Sequence, residues 1–263
     1  MTNIRKPNVA GQFYPEATKS LSAIINKFLS EGHLEINTQP KAIIAPHAGY
    51  IYSGPIAATV YATLSKFRST IKNIVLLGPA HRMYFSGIAA TEVDFFETPL
   101  GLVQVSHDTD KILSLPVVHI NEAAYNMEHS LEVQLPFLQA VLEKFTVIPL
   151  IVGDVHFNAV AQVLEKLWGG DETLIVVSSD LSHYLNYDAA QKLDKLTSNA
   201  IVNLEPESIK NDQACGRVAI QGLLKVAGQR HLTANVLDLR NSGDTAGSKD
   251  SVVGYGAYCF VIG

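Results

Sequence analysis

The chain has 263 residues, 47% hydrophobic and 17% charged, and a formal net charge of −5. That balance suits a globular protein that buries roughly 70–75% of its unfolded surface without disulfide or metal staples. Its 20 basic residues are scattered rather than gathered into a phosphate-neutralising stripe, and no apolar run nears the ~20 residues of a membrane span. Neither nucleic acid nor a membrane is therefore an expected partner.

Residues 1–12 lack the apolar centre of a signal peptide, and the two cysteines, Cys215 and Cys259, stand in unlike contexts. Free thiols in a reducing compartment, the cytoplasm, are the expectation. Leu21, Ile24, Ile25, Phe28 and Leu29 recur at helical spacing, with Gly32 placed as a C-cap. Strand-like runs follow at 42–45, 73–77, 146–152, 174–178 and 235–239, most of them continuously apolar, as strands covered on both faces are. Helical stretches at 56–64, 130–142, 159–167, 189–204 and 217–226 fall between them. The alternation predicts an α/β fold with a largely parallel sheet. Residues 87–105 read as a hairpin turning at Thr98-Pro99-Leu100-Gly101, and 251–262 as a final strand with no helix after it. A mixed sheet with antiparallel edges is expected. No repeat, linker or low-complexity tract divides the chain, so one domain over 1–263 is expected.

Ligands of open α/β sheets bind beyond the carboxyl ends of the strands, and four apolar runs here lead straight into reactive side chains. Residues 42–45 lead into Pro46-His47-Ala48-Gly49-Tyr50, and 74–77 into Gly78-Pro79-Ala80-His81. Residues 174–177 lead into Ser178-Ser179-Asp180-Leu181-Ser182-His183-Tyr184, and 146–152 into Gly153-Asp154-Val155-His156. One such histidine is weak evidence, since it can merely cap a strand, and His156 in its ordinary loop is read that way. Repetition on several strands gathers imidazoles on one edge. Asp180 and His183 can ligate a metal or move a proton, although Asp180 also suits a helix N-cap.

Cys215, in Ala214-Cys215-Gly216-Arg217, precedes a helix whose positive end and neighbouring guanidinium favour thiolate, a ligand for Zn, Cu or Fe. A small buried hydrophobe is the alternative. Cys259 reads as strand core. Glu128-His129-Ser130-Leu131-Glu132 reads as the start of a helix bent at Pro136, with Glu128 and Glu132 on one face and His129 either reaching the site or packing beneath it. Tyr50, Tyr52 and Tyr184 could wall a pocket.

These phrases, with Gly11-Gln12-Phe13-Tyr14 near the start and the strand around Tyr255 at the end, resemble the Memo family over essentially the whole chain. The resemblance implies a three-layer α/β/α fold related to the class III extradiol (LigB-like) non-heme iron dioxygenases. It implies metal ligands at His47, His81 and Cys215, with Asp180 and His183 alongside and His183 at the acid/base position; His183, Asp180 and His129 are the expected catalytic residues. The animal member is described as a copper- and iron-binding redox protein that also binds phosphotyrosine peptides. Prokaryotic members resemble a component of the AmmeMemoRadiSam system, which implies functional association with a radical SAM protein. Where the dioxygenases place a glutamate ligand this chain has Cys215, a softer and oxidisable donor, which weakens any expectation of aromatic ring cleavage.

Three functions follow. One is a metal-dependent redox enzyme using iron or copper. Another is a peptide- or small-molecule-binding protein without turnover. The third is a zinc hydrolase, in which the ion brings the pKa of bound water toward ~7.

Overall fold

The alternating pattern folds, in a computed structural model describing residues 2–32 and 36–263, into one mixed sheet with helices on both faces. The strands are β1 (Ile4–Arg5), β2 (Pro40–Ala45), β3 (Asn73–Pro79), β4 (Ile88–Ala90), β5 (Phe95–Thr98), β6 (Gly101–Val105), β7 (Val118–Ile120), β8 (Thr146–Val152), β9 (Thr173–Ser178), β10 (His183–Leu185), β11 (Leu232–Asn241) and β12 (Val252–Ile262). The helices are α1 (Thr18–Glu31), α2 (Tyr50–Ala62), α3 (Leu135–Val141), α4 (Phe157–Lys166), α5 (Tyr187–Val202) and α6 (Arg217–Gln229).

The middle of the sheet runs β8-β3-β9-β2, all parallel. Strand β12 lies antiparallel to β2, and β11 antiparallel to β12, which makes the expected antiparallel edge. Side chains of a strand alternate between faces, so each central strand feeds two cores. Ile43, Leu76, Val147 and Val176 pack with Leu21, Ile25, Ile56, Tyr61 and Phe137 of α1, α2 and α3. Ile44, Leu77, Leu150 and Val177 pack with Val160, Leu164, Ile201, Ile220 and Leu223 of α4, α5 and α6. Two-sided burial is why these runs are apolar at nearly every position, each buried aliphatic side chain contributing about 1.5–3 kcal/mol.

Several boundaries differ from expectation for identifiable reasons. Helix α2 begins at Tyr50, well before residue 56. Pro55 lies inside it, where it forgoes a single N–H bond. Residues 130–142 divide into a 3₁₀ turn, Glu132–Gln134, and α3. Pro136 sits in the first turn of α3, where a missing N–H is harmless, so it bends nothing. Thr98 and Gly101 close the β5–β6 hairpin as expected. Residues 88–90, however, leave it as β4, fully buried and antiparallel to the end of β8. Among the described residues no helix is long and apolar enough to cross a membrane.

Candidate metal centre

Register brings the reactive loops together. Ala45 pairs with Ser178, Leu77 with Val177 and Pro79 with Val152, so β2, β9, β3 and β8 end on one edge of the sheet. His47 lies two residues past β2, His81 two past β3 and Asp180 two past β9. Glu128 and His129 arrive from the loop ahead of α3, and Cys215 from the turn ahead of α6.

His47, His81 and His129 each offer a ring nitrogen, all within 4.8 Å of one another. Ring centroids are 5.1 Å apart for His47 and His81, 5.4 Å for His47 and His129, and 4.6 Å for His81 and His129. Hydrogen bonds determine which nitrogens carry the lone pair. Ser178 gives its one hydroxyl proton to the Ser130 carbonyl at 2.5 Å. Its oxygen can therefore only accept from His47 Nδ1, 2.9 Å away, which leaves the lone pair on His47 Nε2, where the Cys215 thiol lies at 3.2 Å. Glu128 acts likewise on His81. Its Oε1 is 2.9 Å from His81 Nδ1, and it also accepts N–H bonds from His81, His129 and Ser130. Burial pushes this carboxyl up, but the hydrogen bonds and charge of His81 with those N–H groups outweigh it and hold Glu128 down at about 2. The ionised carboxylate makes Nδ1 the donor, which leaves Nε2 as the His81 nitrogen that a metal would use. His129 differs, because its buried Nδ1 makes no hydrogen bond and stands 3.4 Å from the same Glu128 oxygen.

Cys215 Sγ lies 3.2 Å from His47 Nε2 and accepts the Asp180 N–H at 3.3 Å, outside the three-imidazole group but touching it. Gly216 allows this approach, since a Cβ there would lie 2.6 Å from Ser179 Cβ. The expected thiolate is corrected. Burial, then the charge of Asp180, pushes the metal-free thiol up to about 12. The Arg217 guanidinium that was to favour thiolate is hydrogen-bonded instead to Gln221, at 2.9 Å.

Known proteins are similar along the whole chain. Residues 5–259 match the family model described as Memo-like protein. A MEMO1 family protein of Aquifex aeolicus is 36% identical, covering 96% of this chain and 97% of that protein, and one from Nitrosopumilus maritimus is 35% identical over 98% and 100%. The chain belongs to the Memo family. A solved structure, the uncharacterised protein JW3007 of Escherichia coli K12, overlaps 82% of this chain and 98% of its own at TM-score 0.49 and 13% identity, a likeness too slight to carry an argument.

In this Memo-family chain a cavity of about 630 Å³ opens beside the imidazoles, lined by His47, His81, His129, Asp180, His183 and Tyr255 among others. A second, of about 370 Å³, shares His81 and Arg82 with it and is lined by Cys215. Burial, then the neighbouring His81 and His129, holds His47 far below its ordinary value. Burial, then His81, brings His129 down to about 4, and burial lowers His183 as well. Asp180 is raised to about 7 by burial, against the pull of the His47 N–H, which it accepts at 2.7 Å. His47 and His129 are thus uncharged near neutral pH, as metal-ligating imidazoles must be. A separation of 3.2 Å between Cys215 Sγ and His47 Nε2 is also what two donors on one ion show, roughly 3.1–3.6 Å. The three imidazoles could hold a metal ion.

The structure sorts the remaining candidates. His183 enters the cavity from β10, a strand whose register shifts against β12 and whose next residue, Tyr184, has φ 60° and is 78% exposed. Bulges of this kind re-aim side chains beside sites. No helix follows Asp180, so its capping role falls; α5 is capped by Asn186. His156 caps α4, accepting the Asn158 N–H. Tyr52 and Tyr184 line the cavity, whereas Tyr50 is core and donates to the Val133 carbonyl. Glu128 and Glu132 share no helix face: one holds His81, while the other receives the N-terminal segment. Ser178 and Phe13 went unassigned in the sequence. Ser178 was legible only as a strand end, and Phe13 as part of a family phrase.

Proposed function

We propose that this chain binds one transition-metal ion among His47, His81, His129 and Cys215 and uses it in redox chemistry on a small molecule or peptide held in the 630 Å³ cavity. The observation that carries this reading is the convergence of three imidazoles, two of them held by a hydrogen bond at Nδ1. Imidazole and thiolate together suit iron or copper, with zinc also accommodated. Such an ion, when bound, supplies Lewis acidity and, for iron or copper, one-electron chemistry. The chain's own groups handle protons. Asp180, near 7, can give or take one at neutral pH, and His183, kept neutral in the cavity wall, can accept one. Ring cleavage as in the dioxygenases is not part of the proposal, because Cys215 would replace a hard carboxylate ligand. Functional association with a radical SAM protein rests on family resemblance alone.

Elemental analysis after anaerobic reconstitution tests it. About one ion per chain is expected for wild type and much less for His81→Ala, whereas absence of metal in wild type would overturn the reading. Turnover that needs no oxidant and is restored by zinc alone would favour a hydrolase. The aromatic wall of Phe13, Tyr52, Tyr184 and Tyr255 supports a second reading, a binding protein without turnover. Its signature is ligand affinity indifferent to chelators and to His81→Ala.

A further inference from the structure

His47 and His81 are oriented by hydrogen bonds at Nδ1, whereas the buried Nδ1 of His129 makes no hydrogen bond and lies 3.4 Å from Glu128 Oε1. With no directional hydrogen bond at that nitrogen, the rings packed against it bear on its plane. His81 stacks on His129 at 4.6 Å and 27°, His47 meets it edge-on at 5.4 Å and 90°, and Phe13 lies against it at 4.5 Å and 40°. The first two rings are themselves candidate ligands. Phe13 is the contact held in place from outside the cluster.

Phe13 belongs to a tight hook. The N–H groups of Gln12 and Phe13 donate to the Val9 carbonyl at 3.0 and 2.9 Å, and Gly11, at φ 81°, donates to the Tyr14 carbonyl at 2.7 Å. That φ suits glycine and strains other residues. The hook leans on two neighbours. The Phe13 carbonyl accepts the Tyr50 N–H at 2.8 Å, three residues past His47. The carboxylate of Glu132, only 4% exposed, accepts the Asn8 N–H at 2.6 Å, the Val9 N–H at 2.9 Å and the Tyr14 hydroxyl at 2.6 Å. Asn8 adds side-chain bonds to the Tyr125 and Glu128 carbonyls.

We propose that Glu132 is a positioning residue: by fastening the hook across residues 125–132 it seats Phe13 on His129 and so sets the plane of the third imidazole. This rests on the metal-binding reading of the cluster. A carboxylate is required because three donors converge on it. Glutamine would point an N–H at one of them.

The test uses Glu132→Gln, Phe13→Ala, Phe13→Tyr and wild type, each confirmed folded by its thermal transition. In the metal-free protein, long-range ¹H–¹⁵N spectra should show one sharp set of His129 ring signals in wild type and Phe13→Tyr. Glu132→Gln and Phe13→Ala should show broadened, averaged His129 signals, while the His47 and His81 tautomer patterns persist. With Co²⁺ as probe, both should lose about tenfold or more in affinity with a weaker visible band, and neither should lose more when combined with His129→Ala. His129 signals unchanged in Phe13→Ala, or cobalt losses that multiply that of His129→Ala, would overturn the proposal, and this holds even if Glu132→Gln fails to fold. If wild type takes up no cobalt, the metal reading fails, and the metal-free spectra still decide whether Glu132 and Phe13 set the ring.

Discussion

Ser178 Oγ and His47 Nδ1 are 2.9 Å apart, and because the serine's proton is committed to Ser130, the imidazole must be the donor. A strand-terminal serine thereby selects the tautomer of a histidine 131 positions away.

Ser178→Ala should free that tautomer and deprive the Gln134 amide, which also donates to Ser178 at 2.8 Å. A 10–100-fold loss of metal affinity is expected, measured by competition with a chromophoric chelator. Unfolding should become easier by about 1–3 kcal/mol in denaturant titrations of the metal-free form. Unchanged affinity would show that Ser178 does not control the ring.

Cys215 offers a proton count. With its thiol pushed up to about 12 in the metal-free protein, coordination as thiolate must release a proton at pH 8. Calorimetric titration of wild type in buffers of differing ionisation enthalpy should report about one proton more than Cys215→Ser does. Equal release would remove the cysteine from the ligand set.

Asp180 sets a pH dependence of stability. Its folded value of about 7 lies above the ordinary 3.8, so the folded state binds the extra proton between those values. Its contribution is therefore full below about pH 4 and is lost as pH rises through about 7. Asp180→Asn removes that slope. The variant should gain on wild type by roughly 2–4 kcal/mol between pH 4 and 8 in the metal-free form. A difference independent of pH would contradict the raised value.

Glu128 has the opposite sign. Its folded value of about 2 lies below the ordinary 4.5, so its contribution is present above about pH 4.5 and disappears as pH falls toward 2. Glu128→Gln should cost about 3 kcal/mol at pH 7 and far less near pH 2, read from denaturant midpoints across that range. The same variant should weaken metal binding, since His81 Nδ1 would lose its ionised acceptor.

Legibility followed physical range. The runs at 146–152 and 174–178 were readable because burial on both faces imposes an apolar residue at nearly every position. The short strands β1, β7 and β10 were not, since two or three residues carry no period. His47, His81 and Asp180 could be picked out because each follows an apolar run, and Cys215 because it stands just before a helical stretch. The 3.2 Å contact between Cys215 and His47 spans 168 positions and leaves no local trace. The division of residues 130–142 has no sequence signal, because apolar spacing alone does not separate a 3₁₀ turn from an α-turn.

The sequence by itself determined the α/β class, the family and the residue types available for chemistry, since these depend on pattern and composition along the chain. Tertiary structure alone decided which nitrogens carry the lone pair, that Cys215 rests as a thiol, that His129 joins His47 and His81, and that Glu132 serves the N-terminal hook rather than the histidines. Proton placement and desolvation depend on atoms a few ångströms apart in space, and only the register of β2, β3 and β9 brings those atoms together.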